Sequence, residues 1–103
     1  MSTNPVMDEI EARAHRALNR LRDLGDDMAK VRGQESAADG AVTVEVDGNG
    51  ALVDLRFTSA VSRMSPSEFE QAVVSAAQRA AAAAMGRMGE LITEFNEESA
   101  AQA

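Results

Sequence analysis

The stretch DGAVTVEVDGNGALVDLRF, residues 39–57, has a pattern that is typical of β-structure, and it lies between two segments with helical patterns. Two runs within it carry apolar side chains at every second position. In the first run these are Val42, Val44 and Val46, and in the second they are Val53, Leu55 and Phe57. Alternating runs across a turn rich in Gly and Asn predict a β-hairpin with one apolar face. Since an isolated hairpin is marginally stable in water, this one needs a further packing partner.

The segment before the hairpin predicts a long helix. Asn4 can cap the free N–H groups of the first turn, and Pro5 suits the first helical position. Apolar residues then recur at spacings of three and four in a sustained a/d heptad. They are Met7, Ile10, Ala14, Ala17, Leu21, Leu24, Met28 and Val31. A helix of about 25 residues is about 37 Å long, so we expect it to project or to lie against a partner helix.

The segment after the hairpin predicts a second helix, which begins at Ser65 and Pro66 with Glu68 completing a capping box. Two adjacent apolar rows follow. One holds Phe69, Val73, Ala76, Ala80 and Ala83, and the other holds Ala77, Ala84, Met88, Leu91 and Phe95. Gly86 and Gly89 each cost about 1 kcal/mol relative to Ala inside a helix, so we expect a kink or fraying there.

The order of elements predicts an α+β fold with a long helix, a β-hairpin or three-stranded antiparallel meander, and a long Ala-rich helix. RGQESA, residues 32–37, supplies the optional third strand, before a turn at 38–40. We expect one domain over residues 1–103, with frayed tails at 1–5 and 97–103. The core is poor in large side chains, since the sequence holds three Phe and neither Trp nor Tyr. Packing against a second chain is therefore an attractive source of stability.

The charge is unevenly distributed along the chain. The formal net charge is -7, and residues 1–32 hold six basic and six acidic side chains. The remaining residues, 33–103, hold four basic and eleven acidic side chains. The first helix is therefore the segment that can offer cations to an anionic partner. Without cysteine or a long apolar run, we expect a cytoplasmic protein that lacks disulfides, a signal peptide and a membrane span.

Three arginines of the first helix, Arg13, Arg16 and Arg20, share one helical face and are the candidate contacts for DNA phosphates. Arginine binds phosphate largely through charge and independently of base sequence. The alternative is a solvated face paired within the helix, because Glu9 lies four residues before Arg13 and Asp23 lies three after Arg20.

Other motifs do not indicate chemistry. Glu11 and His15 share a face but fall short of the three or four protein ligands of a zinc site. DGNG at 47–50 lacks the spaced carboxylates of a calcium loop and the Lys of a P-loop, so we interpret it as a turn. The sequence has no Cys and a single His, so it offers no pair of nucleophile and general base for a catalytic site. We expect neither an enzyme nor a bound cofactor or metal.

The heptad helix, the hairpin DGAVTVEVDGNG, the connection TSAVSRMSPSEFEQAV and the helix SAAQRAAAAAM together resemble the YbaB/EbfC family of small bacterial nucleoid-associated proteins. The EFNEE ending is most similar to the actinobacterial branch. The resemblance implies a homodimer whose two sheets join into one. It also implies tweezer-like helices that engage DNA with little sequence specificity. By this analogy Val53, Leu55 and Phe57 lie near the joint.

A small sheet can cover only part of a helix this long, which favours contact of the remaining heptad residues with a second chain. The further candidates for the dimer interface are therefore Met7, Ile10, Leu21 and Leu24. Two hypotheses follow for the function. The first is a dimeric nucleoid-associated protein that binds DNA through phosphates. The alternative is a dimeric protein-interaction or secretion-accessory module on the same fold, whose acidic surface excludes DNA.

Overall fold

The computed structural model of the protein describes residues 4–101 and has the predicted α+β architecture. Helix α1 spans Pro5–Ala29, strands β1, β2 and β3 span Arg32–Ala37, Val42–Asp47 and Leu52–Phe57, and helix α2 spans Pro66–Ala101. A 3-10 helix, Ser59–Arg63, connects β3 to α2. The expected tails fall partly outside the described residues, at 1–3 and 102–103, whereas residues 97–101 continue helix α2.

Both helices begin at the predicted caps. The Asn4 Oδ1 atom accepts hydrogen bonds from the backbone N–H groups of Val6 and Met7, at 3.0 and 3.4 Å. The Ser65 Oγ atom accepts from the Glu68 N–H at 3.1 Å, and the Glu68 carboxylate accepts from the Ser65 N–H at 3.2 Å. This reciprocal pair is the capping box that the sequence predicts.

The strands form an antiparallel sheet in the order β1-β2-β3, so RGQESA does supply the third strand. The β1–β2 connection passes through Asp39 and Gly40, which have φ angles of 54° and 84°. In the β2–β3 connection the Asp47 carboxylate accepts from the N–H groups of Asn49 and Ala51, at 2.9 and 3.0 Å. Both connections are therefore turns fixed by local backbone chemistry.

Strand β3 contains an irregularity that simple alternation does not predict. Asp54 pairs with Glu45, but the next residue of β2, Val46, pairs with Leu52. Val53 is thus the extra residue of a β-bulge. Leu52 replaces Val53 opposite the buried valines, because directly paired residues share a face of the sheet. The apolar face of β3 consists of Leu52, Leu55 and Phe57.

The core is a row of valines packed against a row of alanines. Val42, Val44 and Val46 are the largest fully buried side chains. Helix α2 covers them with four buried alanines at a constant spacing of four, which are Ala72, Ala76, Ala80 and Ala84. Such a row is inclined to the helix axis.

This row differs from the predicted one. Ala83 is exposed, Ala84 is buried in its place, and Phe69 and Val73 are half-buried. The difference arises because the buried alanines recur at every fourth residue, whereas the residues of the predicted row alternate between spacings of four and three. Helix α2 continues through Gly86 and Gly89, so the expected fraying does not occur there.

Helix α2 lies mainly over β1 and β2 and leaves β3 largely uncovered. On the β1 side, the Arg79 guanidinium pairs with the Glu35 carboxylate at 3.3 Å and also donates to the Ser36 carbonyl. On the β3 side, the rings of Phe57 and Phe69 meet edge to face at 5.8 Å. One side of the layer is therefore closed and the other is open.

The chain is strongly elongated, with extents of 75 × 24 × 15 Å. Its radius of gyration is 21.3 Å, against about 13 Å for a compact domain of this length. The accessible surface is 7205 Å², whereas a compact monomer of this mass exposes about 5,600 Å². The chain alone thus exposes an unusually large surface.

Candidate nucleic-acid and self-association surfaces

Helix α1 is an arm that touches the rest of the chain only along its second half. No residue of Pro5–Ala29 is buried. Leu24 and Met28 pack against the hydrophobic core, and Ala17 and Arg20 are half-buried on the same side. Residues 5–16 are exposed throughout, so the first half of α1 lies beyond its contact with α2.

The three candidate arginines have different environments. The Arg13 guanidinium lies 3.0 Å from the Glu9 carboxylate, and both side chains are about two-thirds exposed. Arg16 is exposed, and among residues 4–101 it takes part in no ion pair. Arg20 is half-buried, and its Nε atom is shielded from solvent. The row shares one face as predicted, but its three guanidinium groups are not equally available.

Arg20 lies in an acidic groove between the two helices. The groove has a volume of about 100 Å³, and its apolar floor is formed by Leu24, Leu91 and Phe95. Four carboxylate side chains line it together with Arg20. Those of α1 are Asp23 and Asp27, and those of α2 are Glu94 and Glu98. Asp23 beside Arg20 is visible in the sequence of α1, but the acids of α2 are not predictable in this way, since the register of α2 against α1 is a tertiary property.

The uncovered side of β3 forms an apolar surface. Leu52 is 61% exposed and Phe57 58% exposed, although both share the sheet face that is buried in β2. Val53, at the bulge, is also largely exposed, and Leu55 is half-buried against the core. The candidates Val53, Leu55 and Phe57 therefore lie together, with Leu52 as an addition.

Helix α2 carries a second apolar stripe beside this surface, away from the alanines that face the sheet. Its members recur at heptad spacing and are Val74, Ala81, Met85, Met88 and Ile92. Met85 is 67% exposed, and Val74 and Ile92 are also exposed. Gly50, in the turn before β3, lies against Ala81, which places the stripe on the β3 side of the helix. The spacing was visible in the sequence, but the alanine rows obscured it.

The heptad candidates on α1 divide into two groups. Met7, Ile10 and Leu21 are exposed. Leu24 instead packs within its own chain, against the hydrophobic core. The exposed members form an apolar stripe on the arm, separate from the β3 surface in the chain.

The remaining sequence candidates lie apart from these surfaces. His15 is exposed on α1, and residues 4–101 contain no group of three or more side chains placed to hold a metal ion. Neither described helix combines the length and apolarity needed to cross a bilayer.

Comparisons with known proteins agree with this architecture. An uncharacterized protein from Helicobacter pylori (HP0035) superimposes with a TM-score of 0.65 and 16% identity, covering 92% of this chain and 97% of that one. At that identity the likeness concerns the fold alone. No curated protein matches the sequence. The model of the YbaB/EbfC DNA-binding family matches residues 4–99, which is nearly the whole chain. The chain therefore belongs to the YbaB/EbfC DNA-binding family.

Proposed function

We propose that the protein is a dimeric nucleoid-associated protein that binds DNA through phosphate contacts with little sequence specificity. The observation that carries the proposal is the match of a DNA-binding family across residues 4–99. DNA as the partner would place the protein on the nucleoid, in the cytoplasm. The function is one of binding, without a catalytic step or a cofactor.

The open apolar side supports the dimer. Leu52, Phe57 and Met85 are each more than half exposed, which is costly for a soluble monomer because contiguous apolar surface is normally covered. Strand β3 is also a free edge of the sheet, and a free edge offers unpaired N–H and C=O groups to another strand. A second copy placed across a two-fold axis would satisfy both needs, because an isologous interface brings the same surface from each chain.

In this arrangement β3 of one chain lies beside β3 of its partner, and the α2 stripes pack across the joint. The two arms α1 then extend from a shared platform. The exposed stripe of Met7, Ile10 and Leu21 remains available for a second helix. Dimerisation also brings two arginine rows to one DNA duplex, which doubles the number of phosphate contacts.

The charge predicts weak and salt-sensitive binding. A dimer carries 2 × -7, or -14, in formal charge, so attraction to DNA must be local to the arginine rows. Each phosphate contact contributes about -0.9 to the slope of log K against log salt. Six arginine contacts per dimer therefore set a limiting slope of about -5. Contact with phosphates rather than base edges also predicts similar affinity for unrelated sequences.

The experiment is a titration of two unrelated duplexes of equal length, followed by fluorescence anisotropy, at several salt concentrations from low to physiological. We expect binding at low salt, equal dissociation constants for both duplexes, and steep weakening as salt rises. Arg16→Ala removes two contacts per dimer and should reduce the slope by about 2. The control is Arg79→Ala, since Arg79 is engaged with β1.

Absence of binding at low salt would contradict the proposed function and favour the protein-interaction module. An unchanged slope in Arg16→Ala, with wild-type binding intact, would contradict only the assignment of the arginine row.

A further inference from the structure

The end of α2 brings carboxylates onto the arginine row of α1. Glu94 and Glu98 line the same groove as Arg20, across from Asp23 and Asp27 of the arm itself. The Nε atom of Arg20 is already shielded from solvent within this groove. One guanidinium group thus faces acidic side chains contributed by two helices.

These carboxylates act on Arg20 at short range. Because these groups line one groove of about 100 Å³, their separations are comparable with the Debye length of about 8 Å at physiological salt. Their attraction for the guanidinium is therefore only partly screened. A DNA phosphate that approaches Arg20 must compete with them and meets their repulsion as well.

The two glutamates are not equivalent. The Glu94 carboxylate also lies 3.6 Å from the Arg87 guanidinium, which is paired in turn with Glu90 at 3.1 Å. Part of the Glu94 charge is therefore balanced on α2 itself. Glu98 forms no ion pair within residues 4–101, so its charge acts more fully in the groove.

We propose that Glu94 and Glu98 set the DNA affinity of the arginine row by competing with phosphate for Arg20. This inference rests on the proposed function, and it assigns to α2 a part in DNA binding although its end is acidic. This role would explain why the last turns of α2 carry four glutamates in a chain that is proposed to bind DNA.

The test compares two double variants with the same charge change on the same helix. Glu94→Gln with Glu98→Gln removes the two groove carboxylates of α2. Glu70→Gln with Glu97→Gln removes two exposed carboxylates that do not line the groove. We expect the groove variant to bind duplex DNA about threefold to tenfold more tightly at fixed salt, the size of effect that partly screened surface charges have on binding. The control variant should change affinity less than twofold. Equal gains in both variants, or no gain in the groove variant, would overturn the inference.

A readout without DNA separates this inference from the proposed function. The side-chain ¹⁵Nε resonance of Arg20 should shift in the groove variant and stay unchanged in the control variant, because only the first alters the groups around it. An unshifted Arg20 resonance would overturn the inference even where DNA binding is confirmed. Failure of the wild type to bind DNA at low salt would overturn the proposed function. The interaction of Arg20 with the α2 carboxylates would still be measurable from the Arg20 resonance.

Discussion

At Gly33 the backbone of β1 touches the backbone of α2. A Cβ atom placed on Gly33 would lie 2.0 Å from the carbonyl oxygen of Ala80, and neither backbone can move without disturbing the core. We therefore expect Gly33→Ala to lower the free energy of unfolding by about 3 kcal/mol, the upper range for overpacking. Urea denaturation at fixed protein concentration measures this change.

The matched control is the same substitution in open space. Gly25 lies inside α1 with no atom near the position of a Cβ. Because Ala favours a helix interior over Gly, Gly25→Ala should raise the free energy of unfolding by about 1 kcal/mol. Equal effects at the two glycines would contradict the close approach of β1 and α2.

Local chemistry at single residues is predictable from sequence, but close approach is not. The caps at Asn4 and Ser65 were correctly predicted, because a capping residue acts on N–H groups within three positions of itself. Gly33 has no such local signal. Its role depends on Ala80, which lies 47 positions later in the chain. The sequence predicts only part of the row of α2 residues that faces the sheet.

At the scale of elements, α2 is a continuous helix of 36 residues in spite of two internal glycines. Gly86 and Gly89 have no atom near the position of a Cβ, so neither is required for packing. Each therefore weakens the helix without a compensating contact. We expect Gly86→Ala and Gly89→Ala each to raise the free energy of unfolding by about 1 kcal/mol, measured by thermal unfolding. A loss of stability would indicate that one of these positions serves a bend or an interface.

The elements differ in how well the sequence predicts them. The sequence of β2 alternates between apolar and polar residues and clearly predicts a strand. The sequence of β1 does so only weakly, because Gly33, Glu35 and Ala37 occupy the positions that face the core. Glu35 is accommodated there by Arg79, a partner 44 positions away. The bulge at Val53 was missed because an inserted residue changes pairing without changing composition. The acidic groove at Arg20 was missed for a similar reason, since it depends on how two helices align.

At the scale of the whole molecule, the apolar side of β3 and α2 is the largest departure from a self-sufficient monomer. Met85 lies at the centre of the α2 stripe and is 67% exposed. We expect Met85→Glu to convert the proposed dimer into a monomer, because a charge would be buried without a partner at the joint. Sedimentation velocity measures the distribution of the two species.

Ala82→Glu is the matched control, since Ala82 is exposed three residues earlier on the same helix but outside the stripe. It should leave the dimer unchanged. Dissociation by both variants would indicate a general charge effect, and dissociation by neither would remove α2 from the interface.

In the proposed dimer two chains share one platform, and the molar mass in solution shows whether they do. Light scattering is the suitable method because an elongated chain of 75 Å would distort an estimate based on elution volume. One chain has a mass of 10.9 kDa. At micromolar concentration we predict twice that value, 2 × 10.9 or 21.8 kDa. A measured mass of 10.9 kDa would contradict the dimer and the function built on it.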